Sequence, residues 1–284
     1  MSRTRILVAA GLLGALILAA WVLRPGDVAG PCVVAVGPAT LRDIGEASGL
    51  AASRRTPGVL WAHNDSENAA VLFAIDFAGT VIGRVPIPIQ TRDWEDVSVA
   101  ACPGGDCVYV ADIGDNESVR RSVRIYRVPE PAPGDAQSAP PEVFTVTYAD
   151  GPHNAEAVFV VGQDLYIVTK DRTGGLYRAT LPTSGSHLIF QRIGELGLVL
   201  VTDAETSRDG NSVVVRTRGE VAVYRTADLT SGRRVPALRV RVDELKEPQG
   251  EGVVLVGDML FLVSEGRPWT AGGSAIGLRC YLPG

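Results

Sequence analysis

The chain has 284 residues, 46% apolar and 21% charged, which is core material for one or two globular domains and too apolar for a disordered polymer. A formal charge of -5 supplies no basic field, so nucleic acid is not an expected partner, and a polyphosphate ligand would need local cations or a metal. Lysine stands only at 170 and 246, which makes Lys170, in a polar loop, more informative than a lysine usually is.

The first element is the run Ile6–Leu23, 18 apolar residues without a charge, long enough to cross a bilayer as a helix. Arg3 and Arg5 precede it and only Arg24 closely follows before Asp27, so the positive-inside bias keeps residue 1 in the cytoplasm. Residues 1–31 then form a cytoplasmic start, membrane anchor and short linker, and residues 32–284 an extracytoplasmic body at the cell membrane. Cleavage after Val28-Ala29-Gly30 is the competing expectation and would leave the body secreted. Outside the membrane the cysteines at 32, 102, 107 and 280 favour disulfides: Cys102 with Cys107 across the turn "PGGD", and Cys32 with Cys280, joining the ends of the body.

Beyond residue 40 no convincing helical period appears, and short alternating runs are punctuated by Gly, Pro, Asp and Asn. In chain order the segments "ASGLAAS" (47–53), "WEDVSVA" (94–100), "AEAVFVV" (155–161), "TDAETSR" (202–208) and "GEGVVLV" (250–256) align as first strands of a repeat. Each is followed by a second strand ending in polar residues and by a third, and the first four also by a fourth, "VIGRVPI", "EVFTVTY", "IFQRIGE" and "ALRVRV". Four short antiparallel strands every ~40 to 50 residues predict an all-β fold, a five-bladed β-propeller. The one long interval holds the Pro-rich excursion "PEPAPGDAQSAPPE" (129–142). The last repeat lacks a fourth strand, and "CVVAV" (32–36) is predicted to supply it, closing the ring and bringing Cys32 beside Cys280.

First strands of a propeller line its axis, so Ser48, Glu95, Glu156, Thr202 and Glu251 are predicted to converge. Three carboxylates near one axis raise one another's pKa unless a cation holds them, and calcium, a hard ion taking several oxygens, suits the set. Channel water or contacts between blades are the alternative partners. Zinc fits poorly, since the histidines at 63, 153 and 187 have no paired spacing. Second-strand ends predict a mouth carrying His63, Asn64 and Asp65; Asp112, Asp115 and Asn116; Lys170, Asp171 and Arg172; Arg216 and Arg218; and Glu265 and Arg267. Asn and Asp also belong in turns for conformational reasons. Phosphate-loop, nucleophile-elbow, zinc-protease and EF-hand signatures are absent.

The axial order Ser48, Glu95, Glu156, Thr202, Glu251 resembles the Ser, Glu, Glu, Ser, Glu pattern of the calcium-dependent apyrases, the soluble calcium-activated nucleotidases. Glu95-Asp96-Val97 followed by "VYVADIG", Asn154-Ala155-Glu156-Ala157 and Gly250-Glu251-Gly252-Val253 are similar to that family's phrases at the same places. The resemblance implies a five-bladed ring with one central calcium. The family's first mouth loop has an arginine where this chain has Asn64-Asp65-Ser66, and its second has Gly-Lys-Glu-Trp where this chain has Gly114-Asp115-Asn116-Glu117. A looser resemblance is to secreted bacterial phytase-like and esterase-like propellers.

Two functions are therefore expected. In the first, the body is a calcium-dependent hydrolase of phosphate esters or anhydrides, with Asp65 or Asp112 as general base, Lys170 and Arg216 steadying negative oxygens, and Asp115 and Glu265 completing the mouth. In the second, it is a non-catalytic binding or scaffold propeller with a structural calcium. The expected partner is a small anionic ligand or a surface protein, and the expected ectodomain is monomeric.

Overall fold

The computed structural model describes residues 28–65, 68–182, 186–267, 269–270 and 272–281. The predicted anchor at residues 6–23 lies outside them, and among the described residues no helix is long and apolar enough to cross a membrane.

The body is nearly all β. Strands β1 (Val28–Ala29) and β2 (Cys32–Arg42) come first. Four antiparallel meanders follow: β3 (Ala47–Ala52), β4 (Val59–Asn64), β5 (Val71–Asp76) and β6 (Val81–Pro86); then β7 (Asp96–Cys102), β8 (Gly105–Asp112), β9 (Val123–Pro129) and β10 (Glu142–Tyr148). The third is β11 (Ala155–Val161), β12 (Asp164–Thr169), β13 (Gly175–Thr180) and β14 (His187–Glu195), and the fourth β15 (Val201–Thr206), β16 (Ser212–Thr217), β17 (Glu220–Arg225) and β18 (Leu238–Arg241). One short helix, α1 (Thr226–Thr230), joins β17 to β18. The closing sheet is β19 (Gln249–Val256), β20 (Met259–Glu265) and β21 (Gly272–Cys280), with β2 hydrogen-bonded outside β21.

Burial follows position in the sheet. First strands such as β11 and β15 are buried on both faces, whereas outer strands such as β14 and β18 alternate buried and exposed residues. Two-residue turns join β11 to β12 and β19 to β20, and Gly162 and Gly257 open them at φ 61° and 62°, a conformation that glycine adopts without a steric penalty.

The first strands touch in cyclic order, β3 on β7, β7 on β11, β11 on β15, β15 on β19, and β19 back on β3. Apolar layers fill the gaps between neighbouring sheets. Trp61, Leu72 and Val85 pack with Val97, Val110 and Tyr126, and Val214, Val221 and Val240 pack with Val253, Leu262 and Leu278. Radial sheets around a common axis make a β-propeller.

The ring is closed by the ends of the body: β2 pairs antiparallel with β21, Cys32 lies opposite Cys280, and the two form a disulfide. Cys102 and Cys107 form the second disulfide across their hairpin. Outer edges are also protected. β10 pairs parallel with β14, fusing two meanders into one eight-stranded sheet. The Pro-rich excursion crosses to the edge of β6, where the Ser138 amide donates to the Pro86 carbonyl at 2.9 Å. Glu130 anchors its start, accepting from the Arg54 and Arg55 amides and from Trp61 Nε1 at 3.2, 3.0 and 2.9 Å.

Candidate functional site

Four of the five axial residues sit in irregularities at the start of a first strand. Pairing register shifts between Ala47 and Leu50, Ala155 and Ala157, Val201 and Asp203, and Gly250 and Val253, and these intervals contain Ser48, Glu156, Thr202 and Glu251. Bulges of this kind re-aim a side chain out of the pleat. Glu95 stands just before β7, its amide donating to the Ala111 carbonyl at 3.0 Å. All five are at most 5% exposed.

The two hydroxyls link neighbouring first strands. Ser48 Oγ donates to the Glu95 carbonyl at 2.8 Å, and Thr202 Oγ1 to the Glu251 carbonyl at 2.9 Å. With their hydrogens committed there, both oxygens have only acceptor capacity left.

The carboxylates form one electrostatic group. Burial, then the charges of Glu156, Asp65 and Asp93, push the Glu95 carboxyl far above the usual carboxylate range, and it is hydrogen-bonded to Glu156. Burial, with Glu156 and Glu265, raises Glu251 to about 7 despite the opposing pull of Lys170 and Gln249. Lys170 Nζ lies 2.8 Å from Glu156 Oε2. Burial alone would lower the pKa of this ammonium, but Glu156, Glu251 and Glu95 outweigh it and the net shift is upward.

A second group of oxygens lies beside the axis, where Asp65, Asp93 and Glu95 bring one carboxylate oxygen each within 4.8 Å of one another. Gly114 passes directly against Glu95 and Asp93, with no room for a side chain. His63 stacks on Trp94 at 4.1 Å, fully buried, and burial lowers its pKa to about 3, so the imidazole is neutral.

The remaining mouth residues divide by role. Glu265 is partly buried, accepts from Gln249 Nε2 at 2.6 Å and is raised by burial and by Asp65 and Glu46. Its charge acts on Glu251, as that of Asp65 acts on Glu95. Asp112 is fully buried, accepting from the Asp93 amide at 2.9 Å and from Arg120 Nη2 at 3.1 Å. Asp115 shapes its own loop, accepting from the Arg120 amide at 2.6 Å while its amide donates to Asn154 Oδ1. Arg216 is fully buried, donating to the Gly252 and Val263 carbonyls at 2.7 and 3.0 Å and to Glu247 at 2.5 Å. Its guanidinium therefore binds strands together. Arg120 and Glu247 carry no sequence signal beyond their charge.

One residue further along the first strands is a layer that repeat alignment assigned no chemistry. Asp96 and Asp203 are fully buried and hydrogen-bonded to each other, and burial raises both above the usual range. Asp96 accepts from the Val97 and Val158 amides at 2.6 and 2.7 Å, the second a contact to the next meander. Asp203 accepts from the Leu50 and Val253 amides at 3.2 and 2.5 Å. Two carboxylates thus reach the first strands of β3, β11 and β19 from β7 and β15. The equivalent positions are Gly49, Ala157 and Gly252, and side chains at Gly49 and Gly252 would collide with Asp96 and with Ser48 and Leu50. The detectable signal was this alternation of acids with small residues.

Among the described residues the ligand atoms offered around the axis are oxygens: three carboxylates and two hydroxyls turned into acceptors, with Asp65 and Asp93 beside them. That chemistry fits a hard, high-coordination cation such as calcium and offers nothing to a soft one.

No protein-family model matches the chain, and no curated protein matches it. Among solved structures it is similar to the PQQ-bound aldose sugar dehydrogenase of Streptomyces coelicolor, with a TM-score of 0.50 and 14% identity over 91% of this chain and 100% of that one. It is also similar to a Bacteroides uniformis protein assigned as a 6-phosphogluconolactonase, with a TM-score of 0.43 and 14% identity over 82% of this chain and 71% of that one. Neither neighbour is an apyrase or a phytase, and at such identity the first likeness supports the propeller fold alone.

Proposed function

We propose that the chain is a five-bladed propeller that binds calcium at its axis through Ser48, Glu95, Glu156, Thr202 and Glu251, and that it serves as a rigid binding module outside the membrane, tethered by residues 6–23. The observation that carries the reading is the donor set: of three buried glutamates only Glu156 pairs with an ammonium, Glu95 and Glu251 feeling its charge from further off, while both hydroxyls donate to backbone and keep only lone pairs for the axis. Calcium, when bound, supplies the positive charge that lets Glu95 and Glu251 ionise while buried. The use of Asp112, Asp115 and Arg216 in structural contacts favours binding over catalysis. Elemental analysis of the purified full chain, with melting curves in calcium and in chelator, tests this. About one calcium per chain and a higher melting temperature with calcium are expected. A metal-free chain that melts identically in both conditions would overturn the reading.

A second reading, hydrolysis of phosphate esters or anhydrides, is favoured by one observation: Asp65 and Glu265 interact electrostatically with each other and with the axial Glu95 and Glu251. A carboxylate pair in unlike environments can divide acid and base roles. Calcium would add Lewis acidity at such a site. A panel of nucleotides, phytate and simple phosphoesters, assayed with calcium, decides between the readings; turnover abolished by Asp65→Asn would establish the second.

A further inference from the structure

Lys170 follows directly on β12, its backbone amide donating a hydrogen bond to the Asn154 carbonyl at 3.0 Å. Its ammonium pairs with Glu156 at 2.8 Å and also feels Glu251 and Glu95, the three carboxylates assigned above to calcium. The charge thus stands among the oxygens that a bound ion would use. Arg216 offers a contrast, since its guanidinium is completely buried and held by two carbonyls and Glu247. The Lys170 side chain keeps 19% of its surface exposed, on a flexible unbranched stem.

We infer that Lys170 is a tethered counter-ion of the axial site: it neutralises the carboxylates of the calcium-free ring and yields Glu156 when calcium enters, so that uptake is an exchange of cations. This inference rests on the calcium reading. A divalent ion and an ammonium a few ångströms apart in a partly desolvated site repel strongly, and the flexible, tethered cation is the one able to move. The lysine therefore holds the empty ring together and weakens its affinity for calcium. These two effects share one cause, and a lysine that served only packing would not link them.

Two measurements on the full-length chain in mild detergent test it. In the first, calcium is titrated calorimetrically into the parent, Lys170→Met and Lys170→Arg, and each is melted with and without calcium. Lys170→Met is expected to bind calcium about tenfold tighter, the order of change from removing one like charge near the ion. It should also melt below the parent without calcium and recover with it, while Lys170→Arg stays close to the parent. The second needs no variant. The parent is labelled briefly with an amine-acylating reagent, and modification of Lys170 is read by peptide mass spectrometry against the exposed Lys246, the other lysine of the chain. Calcium should raise the Lys170 to Lys246 labelling ratio several-fold. Equal calcium affinity in parent and Lys170→Met, or an unchanged labelling ratio while calcium binds, would overturn the inference and leave the calcium site standing. Absence of calcium binding in both chains would remove the calcium reading and the inference with it.

Discussion

Asp203 is the residue whose removal should damage the ring most for its size. Its Oδ2 accepts from the amides of Leu50 and Val253, on β3 and β19, and it is hydrogen-bonded to Asp96 on β7, so one side chain on β15 ties together first strands from across the axis. Asp203→Ala would leave two buried amides without acceptors, and each orphaned group costs about 1–3 kcal/mol. The expected loss is therefore roughly 2–6 kcal/mol, before any cavity term. For a body of this size that corresponds to a fall in melting temperature on the order of 10 °C. Asp203→Asn keeps a carbonyl oxygen for the amides and gains an N–H to give Asp96, so it should cost far less. Thermal melts of both variants, with urea midpoints as a second measure, check the pair. If Asp203→Ala melts within about 2 °C of the parent, or Asp203→Asn is as damaging as Asp203→Ala, Asp203 is not the bond across the axis described here.

Three further outcomes follow from other parts of the ring. Replacing Cys32 and Cys280 by serine opens a loop with a sequence separation of 248, for which the chain-entropy model gives roughly 5 kcal/mol, whereas the separation of 5 between Cys102 and Cys107 gives only about 2. Urea denaturation of the two double variants should keep that order, and equal losses would argue against closure by the chain ends. Glu130→Ala removes the acceptor of the Arg54 and Arg55 amides and of Trp61 Nε1, and should cost about 3 kcal/mol or more with early proteolytic cutting in residues 131–141; an unchanged cutting pattern would mean that the excursion is held elsewhere. Gly114→Ala drives a methyl group into Glu95 and Asp93 and should lower both stability and calcium uptake, as read by melting and calorimetry, while normal uptake would place the ion away from Glu95.

Much of the ring was legible because propeller strands are short, alternate over much of their outer members and end in turn residues with specific chemistry. "EVFTVTY" is read as an outer strand and is one, from Glu142 to Tyr148, with residues alternating between solvent and core. The pairing of Cys32 with Cys280 was legible for a different reason, since an incomplete last repeat and an unused leading strand solve the same problem. The parallel pairing of β10 with β14 was not legible, because nothing in either strand encodes which outer edge leans on which. Arg216 shows a similar limit. An arginine at the end of a strand reads as a mouth residue, and only the fold brings Glu247 and two carbonyls around it.

At the axis, the two layers explain why a carboxylate precedes an apolar strand. A first strand is buried on both faces, so its only route to a polar environment is the axis, and a bulge at its start turns one side chain that way. The next residue inward must either bond to neighbouring backbone or vanish, and the chain does both: Asp96 and Asp203 accept amides from other strands, while Gly49, Ala157 and Gly252 make room. Repetition across the sequence exposes the first layer, because similar side chains recur at equivalent places. It hides the second, in which two acids serve their neighbours' amides and the remaining positions carry almost no side chain. In "DWEDVSVA", Glu95 therefore belongs to the axial carboxylates for which a cation is proposed, and Asp96 to the bonds that hold the ring closed around them.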